Sequence, residues 1–155
     1  MTLHLNMPFR WNTPVPLLDD AGRTRYTLIG DAYGLRRRLR VLDLSGKEAV
    51  TIRQVVPSLL PRFEVETYGK PVGEVLKDMT VSPARGVMEP RGWTAEGPLG
   101  ADTVAVTAGK DPVASLRISG PETLLVLPED ASALTALGFL LVVRCIFADQ
   151  EPRRL

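Results

Sequence analysis

The sequence predicts an all-β fold with one helix: a closed antiparallel β-barrel of about ten strands around a central hydrophobic C-terminal helix. Two observations carry this. From residue 14 to 127, short segments of alternating apolar and polar residues are separated by turn signals. After Asp130 the period becomes that of a helix, and the helix is apolar nearly all round. A helix apolar on every side must be surrounded. The chain offers no second long helix, so the sheet has to do the surrounding, and closure removes its exposed edges.

The elements follow in order. Val15–Leu18 precedes the turn Asp19-Asp20-Ala21-Gly22 and the strand Tyr26–Gly30. Leu39–Asp43 leads through Leu44-Ser45-Gly46 into Ala49–Val55, and Phe63–Tyr68 turns at Gly69-Lys70 into Val72–Lys77. Further strands are Arg85–Met88, Trp93–Glu96, Thr103–Ala108, Val113–Ile118 and Thr123–Leu127. Alternation assigns the faces. Leu39 and Val41 share one, as do Val50 and Ile52, and Phe63 and Val65; Thr51, Arg53, Glu64 and Glu66 point the other way. One wet and one dry face per strand marks an antiparallel sheet.

The helix is expected from Ala131 to about Asp149, with Asp130 as N-cap and Ser132 as rival. Its core residues are Leu134, Leu137, Leu140 and Leu141, with Arg144 near the end and Gly138 its single glycine. Glu151–Leu155 reads as a short charged tail.

Composition sets limits. A chain of 155 residues, 45% apolar and 24% charged, fits one globular domain, here residues 1–155 with a core at about 7–150. A net charge of +1 gives no global pull toward nucleic acid. One cysteine excludes an internal disulfide framework and a Cys-rich zinc site, and one histidine, His4, argues against histidine catalysis and multi-His metal sites. No cofactor or metal is expected. The first 18 residues lack a signal-peptide core. The uncharged run 133–143 is shorter than the roughly 20 residues of a spanning helix. A soluble, cytoplasmic, monomeric protein follows, with a tail anchor as the alternative use of that run.

The hairpins from Asp19-Asp20-Ala21-Gly22 to Tyr26 and from Leu39 to Gly46 are followed by Ile52-Arg53-Gln54, Pro61–Val65 and Gly73–Lys77. Then come Gly92-Trp93, Gly97, Gly100 and Val113–Leu116, and an acidic Pro128-Glu129-Asp130 leads into the apolar helix. In this order the chain resembles the bacterial branch of the LURP-one-related family. That family belongs to the tubby C-terminal-like superfamily and is distant kin of the phospholipid scramblases. The resemblance implies a closed barrel of about twelve strands around the C-terminal helix, in agreement with the burial requirement. It implies no catalytic residues.

Arg36, Arg37, Arg38 and Arg40 form the densest basic cluster, and alternation puts Arg36, Arg38 and Arg40 on one outer face. Such a face could bind lipid headgroup phosphates, at about 1 kcal/mol per residue. The plainer alternative is a solvated strand face paired with Glu64 or Glu66. Replacing all three arginines with Glu is expected to abolish lipid binding and leave the fold intact. Arg144 is either a polar site at the barrel mouth or a helix-end arginine reaching water. Cys145 reads as a core thiol. The stretch Gly92 to Gly100 lacks the ending of a phosphate loop and reads as a hairpin, with Trp93 in the core or at the rim. Asp19-Asp20 and Glu129-Asp130 are turn and cap acids, and Asp78–Pro83 is a polar connection.

Three functions remain. The first is a non-enzymatic binding or scaffold module at an anionic phospholipid surface, peripheral to the membrane. The second is a protein-interaction or regulatory domain without lipid affinity, which predicts an exposed apolar patch. The third, an enzyme with a ligand inside the barrel, is opposed by the helix that fills that space.

Overall fold

Alternation along the chain becomes the wall of a barrel. The computed structural model describes residues 1–56 and 60–148. Its strands are β1 Thr2–Asn6, β2 Val15–Leu18, β3 Thr24–Tyr33, β4 Arg36–Leu42, β5 Glu48–Gln54 and β6 Arg62–Thr67. They continue as β7 Lys70–Asp78, β8 Arg85–Glu89, β9 Trp93–Ala95, β10 Thr103–Ala108, β11 Asp111–Ser119 and β12 Glu122–Val126. Each pairs antiparallel with its neighbours in sequence, and β12 pairs with β1, closing the sheet. Odd-numbered strands therefore run toward one end, called here the upper end.

A barrel of eight strands is narrow enough for side chains to fill, and twelve leave a wider interior. An α-helix about 10–12 Å across fits that space. The helix α1, Ala133–Val142, enters from the lower end and continues as a π-helical stretch, Val143–Phe147. Leu137, Leu140 and Leu141 are completely buried, while Leu134 at the entrance is half-buried. Around them stand Leu3, Leu28, Leu39, Ile52, Val65 and Leu116 from the strands. Gly138 sets the closest approach: a Cβ there would lie 2.9 Å from Val65 Cγ1 and 3.3 Å from Val50 Cγ1.

The expected strands are present, with three differences. The barrel begins earlier than residue 7, because Thr2–Asn6 forms the closing strand between β2 and β12, with Leu3 and Leu5 fully buried. Its alternation is only Leu3-His4-Leu5, too short to stand out as a period. β4 begins at Arg36, ahead of Leu39, because the ladder with β3 runs to Tyr33↔Arg36. The helix starts at Ala133, not Ala131. The Asp130 carboxylate accepts the Ser132 backbone N–H at 2.8 Å and also its hydroxyl, forming a turn before the helix. Ser132 takes the N-cap position without a side-chain cap bond. The expected end at Asp149 and the tail Glu151–Leu155 lie outside the described residues.

The upper end is partly covered from within the chain. Phe9 and Trp11, in the β1–β2 loop, meet edge to face at 5.1 Å and lie over Gly30. A Cβ on Gly30 would come 2.8 Å from Trp11 Cε3, so the aromatic pair can seat there only against glycine.

Candidate functional site

The basic cluster sits on the β3–β4 hairpin. Its turn is Gly34-Leu35, with Gly34 at φ +59°, a conformation that glycine adopts without a Cβ penalty. The turn fixes the register: Asp31 lies directly opposite Arg38, and Ile29 opposite Arg40. Asp31, Arg38 and Arg40 thus share the outer face. Arg38 Nε donates to Asp31 Oδ2 at 2.9 Å, and Arg40 donates from Nε at 2.9 Å and Nη2 at 3.3 Å. Arg40 also lies 3.7 Å from Glu48.

Asp31 is only 6% exposed. Burial pushes its pKa up, but the hydrogen bonds from Arg40 and Arg38 outweigh this and hold it below the usual value. The same bond to Asp31 raises the pKa of Arg40. Two of the three arginines expected to face an anionic ligand are therefore tied to a buried acid within their own hairpin. The expected partners Glu64 and Glu66 lie elsewhere: Arg53 stands opposite Glu64 and donates to Glu66 at 3.1 Å.

Arg36 is exposed and has no ion pair among the described residues, and the same holds for Arg10. Arg37 braces the hairpin tip. Its backbone N–H donates to Gln54 Oε1 at 2.9 Å, its Nη1 donates to Gly34 O at 2.7 Å, and its guanidinium lies 5.3 Å from the centre of the Trp11 ring. Asn12 ties the β1–β2 loop to the same strand, donating its N–H to Gly30 O and accepting the Ala32 N–H at 3.2 Å. The β1–β2 loop, the β3–β4 hairpin and the end of β5 are thereby held together at the upper end.

Beside the arginines are apolar side chains that the sequence pattern did not single out. Tyr33 is 65% exposed and Leu35 91%. Val56, Met79 and Val81 are exposed on the β5–β6 and β7–β8 connections of the same end. The missed signal was Tyr and Leu at a two-residue turn, where polar residues are usual.

The other singled-out residues have local roles. Arg144 is half-buried and donates from Nε to Thr123 Oγ1 at 3.1 Å. Cys145 is buried. Trp93 is buried in the core, with Arg91 5.1 Å from its ring centre. Asp78 accepts Thr80 and Arg85, which depresses its pKa to about 2. Lys77 is buried on the inner face, its amine 6.0 Å from the Phe147 ring centre. Two surface hollows, of about 290 and 420 Å³, lie outside the barrel wall, the first beside Tyr26 and Tyr68, the second over Pro71, Val72 and Gly73. No group of three metal-ligating side chains occurs among the described residues.

His4 lies on the outer face of β1. Its Nε2 is 2.8 Å from Asp20 Oδ1, and its Nδ1 meets Glu122. Hydrogen bonds first to Asp20, then to Glu122, raise its pKa. A raised folded-state pKa means the stabilisation is complete below the unfolded value of 6.5 and is lost as pH rises through the folded value. The stability gap between the wild type and His4→Gln is expected to be larger near pH 6 than near pH 9. Chemical denaturation at the two pH values measures it, and an equal gap at both would show that the imidazolium contributes nothing.

The fold and site define a class: a closed barrel filled by its own C-terminal helix, with its charged chemistry on the outer wall and at the loop ends. No family model matches the chain. It is 32% identical over 103 residues to the uncharacterized protein YxjI of Bacillus subtilis (strain 168), a match covering 66% of this chain and 64% of that protein. The chain thus spans less than two thirds of that relative. The X-ray structure of a protein from Arabidopsis thaliana matches 96% of this chain and 91% of its own with a TM-score of 0.62 at 20% identity, a likeness of fold. No helix among the described residues is long and apolar enough to cross a membrane.

Proposed function

We propose that this chain is a non-enzymatic binding module that attaches to anionic phospholipid surfaces through the upper end of its barrel. The supporting observation is the charge of three neighbouring loops. Residues 7–18, 32–42 and 53–63 contain no Asp or Glu, yet they carry Arg10, Arg36, Arg37, Arg53 and Arg62. The nearest acid on this hairpin, Asp31, is buried and neutralised. Arg53 and Arg62 are paired with Glu66 and Glu74, so the positive charge these loops leave without an acid is that of Arg10, Arg36 and Arg37. A basic side chain close to an anionic bilayer contributes about 1 kcal/mol. The resemblance to the LURP-one-related proteins points the same way, since tubby-like members of that superfamily bind phosphoinositides through basic residues.

Arg36, with Arg10 and Arg37, carries the contact, and Arg38 and Arg40 hold the hairpin. Co-sedimentation with phosphatidylcholine vesicles, with and without phosphatidylserine, tests this. Binding is expected only to the anionic vesicles, weaker as salt rises, and strongly weakened, with its salt dependence lost, in Arg10→Glu/Arg36→Glu. If the wild type binds neither kind of vesicle, the lipid surface is excluded. The exposed apolar tips then favour the second reading, a protein-interaction domain.

A further inference from the structure

Exposed apolar side chains are distributed unevenly over the barrel. Of nine large ones exposed among the described residues, six lie at the upper end: Tyr33, Leu35, Val56, Leu60, Met79 and Val81. They stand on loops or, for Tyr33, at a strand end, not on a continuous sheet face. Leu35, at the tip of the longest hairpin pairing of this end, is almost wholly in solvent. The tip is also braced. Arg37 ties it to Gln54 and Trp11, and Asn12 ties the neighbouring loop to β3.

We infer that Tyr33 and Leu35, braced by Arg37 and flanked by Arg36 and Arg10, enter the headgroup–acyl boundary of an anionic bilayer, so that the barrel docks end-on and not by the Arg36–Arg40 strand face. This rests on the anionic-surface reading above and adds its mode. Two features select a bilayer as the occupant. The charge is complementary where Tyr33 and Leu35 stand, because residues 7–18 and 32–42 beside them hold arginines and no acids. The apolar groups are presented on separate tips, and a fluid interface can receive each of them without a matching rigid socket. An aromatic ring with a polar end, Tyr33, and an aliphatic tip, Leu35, suit the two layers of that boundary. Burial of the tip is not screened by salt, whereas the arginine contribution is.

The mode has a direct readout. Leu35→Trp places an indole at a solvent-exposed tip without disturbing the core. With phosphatidylserine-containing vesicles its emission, relative to the wild type, is expected to shift to the blue and to be quenched by lipids brominated in the upper acyl chain. Tyr33→Ser/Leu35→Ser, checked for an unchanged melt, is expected to bind about tenfold or more weakly at every salt concentration. In contrast, Arg10→Glu/Arg36→Glu removes the salt-dependent part.

If the wild type sediments with anionic vesicles but the Leu35→Trp emission is unmoved and the serine variant binds normally, insertion is overturned while the surface-binding function stands. If the wild type binds no vesicle, both fall. Capture of an acidic protein partner by the same residues would then replace them.

Discussion

Leu140→Asp is expected to leave the chain without a cooperative fold. Leu140 has no exposed surface and lies midway along the helical stretch 133–147, whose α1 part touches β5, β6, β7 and β11. Removing the leucine alone costs about 2–5 kcal/mol, through lost burial and the cavity left behind. The carboxyl group adds a second cost. It must either ionise in an apolar interior, at several kcal/mol, or hold a proton that water would otherwise take. Together these consume most of a typical total stability of about 5–15 kcal/mol. Leu140→Met, which keeps the volume, should cost less than about 1.5 kcal/mol and serves as the control. Thermal melting followed by circular dichroism decides it. A soluble Leu140→Asp protein with a cooperative melt would mean that the helix is not the core of the barrel.

The same burial made the fold legible. Leu39-Arg40-Val41 and Phe63-Glu64-Val65 show their faces by simple alternation, and the structure buries Leu39, Val41, Phe63 and Val65 while leaving the charged residues outside. The helix was legible because Leu137, Phe139, Leu140 and Leu141 leave it no wet side. The site was harder to read for a physical reason. A residue's partners across a sheet depend on register, and register depends on the turn. Once Gly34-Leu35 is recognised as the β3–β4 turn, Asp31 falls opposite Arg38 and the pairing follows. Without it, the four arginines look equivalent and the distant glutamates look like their partners. Tyr33 and Leu35 were obscured in the same way, since apolar residues at a turn resemble a continuing strand. Phe9 and Trp11 could not be placed at all, because their seat is the missing side chain of Gly30 on another element.

Arg38→Ala/Arg40→Ala is expected to destabilise the fold by about 3–5 kcal/mol, the cost of leaving a buried charge without its partners. The charge is Asp31, whose side chain is 9% exposed and whose carboxylate receives both guanidinium groups. This reverses the expectation that Arg36, Arg38 and Arg40 could all become Glu with the fold intact. Such a triple variant would set two new carboxylates against a buried one, and its loss of binding would report unfolding. The linkage has a definite sign. The folded-state pKa of Asp31 lies below its ordinary value of 3.8. Its contribution is therefore present above that value and lost as pH falls through the depressed one. In the double alanine variant burial acts unopposed and the pKa should rise instead. The penalty should accordingly shrink under acidic conditions, where Asp31 can take a proton. Asp31→Asn added to the double variant removes the charge and should recover part of the lost stability at neutral pH. Denaturant titrations of the three proteins at neutral and acidic pH measure both effects. A double alanine variant as stable as the wild type would mean that Asp31 is solvated and that Arg38 and Arg40 are as available to a ligand as Arg36.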